Sequence, residues 1–343
     1  MQLDEIEGED DVMQRRIGSL TLITVGVALI AGTFAFQMFS RAPAFEKMTN
    51  DFSRNVTPAT VAALRTNVAD LRAGGTELAT KGLTQLAALL KLTPQQFATL
   101  AQQQFPALTA AVTQIPQTTA GFDTLLGVIA SQDAHLHSAV AIPSKGISTT
   151  VVPWLILGSG FIALALGLTV GARWTSMVAV ALGALMIIGV FAFSLPSKTS
   201  DADALNKAMK PFFKQQQIDA SRAAMTGLNA TSQELINKVL PAIAAAQHVP
   251  AAQLTTQFAG QFPALTRALI SLPDATDRVT ALTAVFKRNL ANFQKVVPFH
   301  FAAATWTVVG AGLLVMLGGA LPLLVSDEAA TSERGQRWFR RAA

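Results

Sequence analysis

The pentapeptide QFPAL occupies residues 104–108, and the same five letters return at residues 261–265. Apolar residues recur at a period near 3.6 on both sides of each proline, which is typical of one face of an amphipathic helix. We therefore predict that each pentapeptide bends a helix at its proline, with its phenylalanine and leucine in the core. A packing kink is the favoured role, and a ligand or partner site at the carbonyl that proline leaves free is the alternative. The candidate kink or interaction residues are Phe105, Pro106, Phe262 and Pro263.

The repeated pentapeptide belongs to a register that holds over most of the chain. A shift of 157 residues places Glu77 on Glu234, and a shift of 152 residues places Trp154 on Trp306 near the end of the chain. This long register predicts a tandem duplication of one unit, which consists of a helix, an external domain and a second helix. Because the chain enters both copies from the same side of a membrane, the copies are predicted to be parallel.

Four segments contain no charged residue and no histidine, namely 17–39, 151–171, 174–195 and 302–325. Each is long enough to cross a hydrocarbon layer of about 30 Å as a helix. Only 14% of the residues are charged and 51% are hydrophobic, whereas a soluble domain has about a quarter of its residues charged. The sequence therefore predicts an all-α membrane protein with four transmembrane helices and two helical-bundle external domains.

Basic residues decide the predicted orientation. Arginines before the first apolar segment, before the third and after the fourth assign these flanks to the cytoplasm by the positive-inside rule. A cleaved signal peptide at 17–39 is the alternative, but this apolar run is longer than an ordinary signal-peptide core, which favours a retained helix. The other predicted segments are a cytoplasmic acidic tail at 1–16, external helical domains at 40–150 and 196–301, a cytoplasmic link at 172–173 and a cytoplasmic basic tail at 326–343.

Tryptophans mark the predicted membrane boundaries. Indole prefers the headgroup layer, where both its apolar ring and its polar N–H are satisfied. All four tryptophans of the chain lie near the ends of apolar segments or in the tail that follows the last one. The predicted interface anchors are Trp154, Trp174, Trp306 and Trp338.

Glycines recur at matching positions of the apolar segments. Small residues let membrane helices approach closely, and the repetition favours contact faces over the general abundance of glycine in such helices. The candidate helix-contact residues are Gly26, Gly32, Gly183, Gly189, Gly158, Gly160, Gly310 and Gly312.

The external segments carry local signals for helix starts and stops. The threonine–proline pair at 93–94 predicts an N-cap followed by a first-turn proline. The stretch at 231–234 has the form of a capping box, which predicts another helix start. Glu77 and Glu234 are therefore predicted to cap amides in the first turn of their own helices. The glycine pair at 74–75 is predicted to separate two helices.

Residues with catalytic or metal-binding potential are sparse. The chain has no cysteine, which excludes disulfides, thiol catalysis and cysteine-based zinc sites. His135 and His137 are two positions apart, whereas a zinc pair on a helix needs a spacing of three or four. We predict no enzymatic activity, no cofactor and no metal site. The net charge of +5 is explained by basic flanks and predicts no nucleic-acid partner.

These observations favour a non-enzymatic accessory or scaffold subunit of a bacterial cell-envelope complex, located in the plasma membrane with both termini in the cytoplasm. The predicted partners are membrane lipids, together with other membrane or envelope proteins or further copies of the chain. A module that binds or senses a lipid or another apolar ligand is the alternative, and an oligomeric channel or carrier is the weaker one. A cavity of several hundred Å³ would favour ligand binding, whereas a solid core with an exposed apolar patch would favour the scaffold.

Overall fold

The computed structural model describes residues 2–144, 146–169 and 173–342, with side chains at all of these except 2–12, 251–252, 255 and 324–342. The described residues are almost entirely helical and include no β-strand. The helices of the first half are α1 (Gln2–Ala35), α2 (Met38–Asn55), α3 (Pro58–Glu77), a π-helical turn (Leu78–Gly82), α4 (Leu83–Leu89), α5 (Pro94–Gln104), α6 (Pro106–Ser131), α7 (Asp133–Val140) and α8 (Val151–Leu168).

The second half follows a similar order of helices and also contains a π-helical turn. Its helices are α9 (Arg173–Ala192), α10 (Leu195–Met209), α11 (Gln215–Glu234), a π-helical turn (Leu235–Val239), α12 (Leu240–Gln247), α13 (Ala251–Gln261), α14 (Pro263–Val296) and α15 (Phe301–Ala342).

Four segments are long and apolar enough to cross a membrane. They are Met13–Ala35, Val151–Leu168, Arg173–Ala192 and a stretch within Pro263–Leu323. Each overlaps one of the four apolar segments predicted from the sequence, which confirms the prediction of four helices able to span a membrane. The first apolar helix ends at residue 35, slightly before the predicted limit of 39, because Gln37 adopts a left-handed backbone conformation with φ of 51°.

One compact unit contains all four of these helices and combines Met1–Asn50, His135–Lys207 and Asn292–Ala343. In this unit α1 packs against α8, α9 packs against α15, and α1 also packs against α15. Many large apolar side chains outside the core are exposed, as expected for helices whose outer faces contact lipid. The buried residues of the cluster between these apolar helices are Leu22, Val25, Leu29, Ala163, Leu166, Ala179, Ala311 and Val315.

The second compact unit joins Asp51–Ala134 with Ala208–Ala291. The sequence predicted a helical bundle for each of these segments, and the structure groups the two segments in one compact unit. Apolar residues of both segments pack together in one common core. The larger buried residues of this core are Leu78, Leu86, Phe97, Phe105, Leu108, Leu235, Val239, Ile243, Leu254, Phe258, Phe262 and Leu265.

Local capping signals predicted some helix boundaries of this unit correctly and others wrongly. The start at 93–94 is confirmed, because Thr93 forms a capping box with Gln96 and a proline occupies the first helical position. The glycine pair at 74–75 does not separate two helices but lies buried inside α3. The capping-box sequence at 231–234 does not begin a helix and instead forms the last turn of α11.

Among the described residues, four non-glycine residues at helix ends adopt a left-handed backbone conformation. Gln37 and Ser194 have φ of 51° and 52°, and Lys91 and His248 have φ of 57° and 55°. The members of each pair are 157 positions apart, the same shift that relates the two pentapeptides. Because this conformation is uncommon without glycine, its recurrence at matching positions is a specific likeness between the two halves.

Candidate functional site

The two QFPAL sequences lie where one helix ends and the next begins. Phe105 precedes α6 with φ of −129° and ψ of 55°, and Phe262 precedes α14 with φ of −126° and ψ of 62°. The helix is therefore broken at each site, rather than bent as predicted. Proline at the first helical position needs no hydrogen-bond acceptor, but the third amides, those of Leu108 and Leu265, have no partner inside their own helices. A phenylalanine at the cap position has no side-chain oxygen to accept them.

Glutamates from the opposite halves of the chain supply the missing acceptors. Oε2 of Glu234 accepts a hydrogen bond from the amide of Leu108 at 2.8 Å, and Oε2 of Glu77 accepts one from the amide of Leu265 at 2.8 Å. The negative charge of each carboxylate also complements the dipole at the helix N-terminus. The prediction that these glutamates cap their own helices is wrong, because they end α3 and α11 and cap α14 and α6. We name this pair of hydrogen bonds the crossed caps.

Burial strengthens the cap made by Glu234. Its side chain is 6% exposed, and Nζ of Lys238 lies 3.4 Å from Oε1 while remaining 58% exposed. The carboxylate therefore bonds to a buried amide on one side and an exposed cation on the other. Since a charged hydrogen bond out of water is stronger than a solvated one, removal of this carboxylate would leave a costly unpaired amide.

Close backbone approach accompanies the crossed caps on both sides. Oγ1 of Thr231 donates a hydrogen bond to the carbonyl oxygen of Ala107 at 3.1 Å. At the matching position 157 residues earlier, Gly74 lies so close to α14 that an added Cβ would be 2.5 Å from Cβ of Ala268 and 3.2 Å from the carbonyl oxygen of Ala264. Glycine is therefore required at 74 by packing, which explains a glycine in the middle of a helix.

A π-helical turn follows each capping glutamate. The turns span Leu78–Gly82 and Leu235–Val239, and each is closed by a bond from the following amide to the first carbonyl of the turn. Turns of this type add one residue to a helix and are frequent at functional sites. Here the added residue lets Leu78 and Leu86 both enter the common core.

Further side-chain bonds connect the two segments of this unit. The amide nitrogen of Asn67 donates to Oδ2 of Asp274 at 2.8 Å, and Nε of Arg278 donates to the same oxygen at 2.7 Å. The bond from Arg278 and the weaker effect of Asn67 hold the pKa of the Asp274 carboxyl below its ordinary value. Asp51 accepts a bond from the side-chain amide of Asn289 at 2.5 Å. These carboxylates hold helices together, and no group of three potential metal ligands occurs among the described residues.

The compact unit that contains the four apolar helices, which we call the membrane unit, has its own pair of acidic residues at matching positions. Asp203 accepts hydrogen bonds from the amides of Phe301 and Ala302 at 2.9 and 3.0 Å, at the start of α15. Glu46, 157 positions earlier, accepts a bond from Oγ of Ser148 at 2.5 Å, shortly before α8 begins. Each acid therefore lies at the start of the last apolar helix of its own half.

The predicted glycine contacts separate into two groups. A Cβ at Gly26 would lie 2.8 Å from the carbonyl oxygen of Gly160 on α8, and a Cβ at Gly183 would clash with the carbonyl oxygen of Gly312 on α15. Gly26 and Gly160 thus line the crossing of α1 with α8, and Gly183 and Gly312 line the crossing of α9 with α15. The other four predicted positions do not contact another described helix. No described atom of another helix lies within 4 Å of a Cβ built at Gly32, Gly158, Gly189 or Gly310.

The predicted interface tryptophans lie at the surface of the described residues. Trp154, Trp174 and Trp306 are 64%, 63% and 55% exposed. Trp154 packs edge-on against Phe39 with ring centroids 4.9 Å apart, and the side chain of Trp338 lies outside the described residues. The location of these indoles in the headgroup layer stays a prediction.

A cavity of about 200 Å³ lies within the Asp51–Ala134 and Ala208–Ala291 unit. It is lined mainly by aliphatic side chains of α3, α6 and α14, and sequence reasoning did not identify it. A signal was present in the sequence, because the smaller Val56 and Ile129 occupy positions that correspond to Phe213 and Phe286.

No protein-family model matches the chain, and the comparison with curated proteins gives no match.

Proposed function

We propose that this chain is a non-enzymatic membrane scaffold, an accessory subunit that presents one rigid helical bundle to other proteins of a bacterial cell envelope. The proposal rests on the crossed caps. Because Glu234 and Glu77 each complete a helix start in the opposite segment, the two segments support each other as one body. A preorganised surface binds a partner with less loss of conformational entropy than a mobile one.

We infer that the chain arose by tandem duplication and that its two copies are parallel. The shift of 157 residues relates the two capping glutamates, the two π-helical turns and both pairs of left-handed residues. In this arrangement both termini lie in the cytoplasm of a bacterium, and the bundle formed by Asp51–Ala134 and Ala208–Ala291 lies outside the plasma membrane.

The surface of this bundle favours a polar partner interface. Among the described residues of the unit, the large apolar side chains that are exposed are Ile236 at 45% and Ile270 at 74%. Single exposed apolar residues are normal on a soluble surface, so the described part of the bundle does not show the exposed apolar patch that we expected of a scaffold. We therefore expect partners to bind through polar helical faces with a small apolar centre, as in non-obligate complexes.

The test is isolation of the full chain from its native membrane in a mild detergent after crosslinking in intact cells. We expect a particle that contains a second polypeptide at a fixed ratio, with a protein mass above that of the 36.2 kDa chain. A particle that contains only this chain and lipid would overturn the proposal.

Two variants test whether binding of the second polypeptide depends on the crossed caps. The double variant Glu77→Ala/Glu234→Ala should remain in the membrane but lose the second polypeptide, because the bundle surface is no longer held rigid. The matched control is Asp277→Ala, which removes an exposed carboxylate from α14. This control should retain the partner, and loss of the partner from both variants would show that the crossed caps are not the cause.

A further inference from the structure

The cavity of about 200 Å³ has an apolar floor and a polar mouth. The floor side chains are aliphatic and all of them are buried, whereas Asn55, Thr60 and Arg278 lie at the more exposed rim. Such a floor offers no hydrogen bonds to water, and apolar cavities of this kind stay dry and accept apolar molecules. The floor residues are Val56, Val61, Leu64, Leu126, Ile129 and Leu282.

The corresponding positions of the other half hold aromatic rings. The shift of 157 residues places Val56 on Phe213 and Ile129 on Phe286. The rings of Phe213 and Phe286 are buried with centroids 4.9 Å apart, and Phe52 packs edge-on against Phe286 at 5.1 Å. The cavity therefore lies where one half lacks two phenyl rings that the other half contains.

The polar groups at the mouth already have partners. The side-chain amide of Asn55 donates to Oδ1 of Asp51 at 2.9 Å, and Nε of Arg278 donates to Oδ2 of Asp274 at 2.7 Å. Oγ1 of Thr60 shares a hydrogen bond with Oγ1 of Thr57. Because the carboxylate of Asp274 balances the charge of the Arg278 guanidinium, the mouth of the cavity does not favour an anionic ligand over a neutral one.

We propose that this cavity binds a neutral molecule with a single aromatic ring, of the size of phenol. An apolar cavity of about 150 Å³ is sufficient for benzene, so about 200 Å³ accommodates a ring with one small substituent. The ring lies among the aliphatic floor residues, and its polar substituent faces Thr60 and Asn55 at the mouth. This proposal is independent of the scaffold function, since ligand binding can fail while partner binding remains.

Phenol is the probe, and thermal unfolding of the full chain in detergent is the measurement. We expect a saturable rise of the melting temperature for the wild type, because a ligand at 100 times its Kd raises the ratio of folded to unfolded protein about 100-fold. The Val56→Phe/Ile129→Phe variant fills the cavity with the rings found in the other half. It should lose the phenol-dependent rise, and if it does not fold, the single variant Ile129→Phe provides the same test.

Two controls separate binding in the cavity from general effects of phenol. Ile270→Ser changes an exposed side chain of the same unit and should keep the wild-type response. The reverse variant Phe213→Val/Phe286→Ile opens a matching space in the other half and should bind a second phenol per chain in equilibrium dialysis. No saturable response of the wild type, or an equal response of the filled variant, would overturn the proposal.

Discussion

The carboxylate of Glu234 lies 2.8 Å from the backbone nitrogen of Leu108, which belongs to the other half of the chain. Glu77 makes the equivalent bond to Leu265 at the same distance. Each helix that begins with the Phe–Pro break therefore depends on a carboxylate from the opposite half. A separated half would contain a buried helix start without an acceptor, so the crossed caps make the two halves mutually dependent.

The first prediction concerns the strength of the crossed caps. Glu234→Ala should lower the free energy of unfolding by about 1–3 kcal/mol, because it leaves the Leu108 amide buried and unpaired. Glu77→Ala should cost less, since Glu77 is more exposed than Glu234. Chemical denaturation followed by far-ultraviolet circular dichroism measures both free energies of unfolding.

Hydrogen exchange at the Leu108 amide should accelerate in Glu234→Ala but not in the exposed-site variant Asp277→Ala. Unchanged exchange at Leu108 would show that the carboxylate does not protect this amide.

The second prediction concerns the phenylalanine of the second pentapeptide. Phe262 is 0% exposed and lies in the core shared by both segments. Phe262→Ala should lower the free energy of unfolding by about 3–5 kcal/mol, through lost burial and the cavity left behind. Ile270→Ala, at a site that is 74% exposed, should change it by less than about 0.5 kcal/mol. Equal effects of the two variants, measured by the same denaturation, would contradict the shared core.

The third prediction separates the glycines that line helix crossings from those that do not. Gly183→Ala should reduce stability in detergent by about 1–3 kcal/mol, because its Cβ would clash with the backbone of α15. Gly158→Ala and Gly310→Ala should have little effect, since no described atom of another helix lies within 4 Å of the added methyl group. Thermal inactivation in detergent and resistance to unfolding by a harsher detergent report the difference. A destabilised Gly310→Ala variant would indicate that this face contacts another molecule.

Local composition was sufficient to predict the helices of the membrane unit. A run without charge is a property of neighbouring residues, so 151–171 could be assigned without knowledge of its contacts. The burial of Phe105 and Phe262 follows similarly from the helical period around them. The matching register of the two halves identified Glu77 and Glu234 as a related pair before their contacts were known.

The acceptor role of the glutamates could not be predicted, because it depends on packing between distant segments. The sequence at 231–234 satisfies the capping-box pattern, yet the apolar stripe continues through it and keeps the chain helical. The partner of Glu77 is 188 residues away along the chain. The cavity beside Val56 could not be predicted for a related reason. A small residue leaves a cavity only when its neighbours in space cannot close it, and those neighbours are not known from the sequence.

The last prediction tests the orientation of the two copies. Because the chain contains no cysteine, single cysteines report their own accessibility without interference. Gly121→Cys and Thr280→Cys, at exposed sites of α6 and α14, should both react with a membrane-impermeant maleimide added to intact cells. Ser332→Cys, in the basic tail, should react only after the membrane is opened, because parallel copies leave the C-terminus in the cytoplasm. Labelling of Gly121→Cys but not Thr280→Cys in intact cells would mean that the copies are antiparallel, and the common core of the bundle could not form.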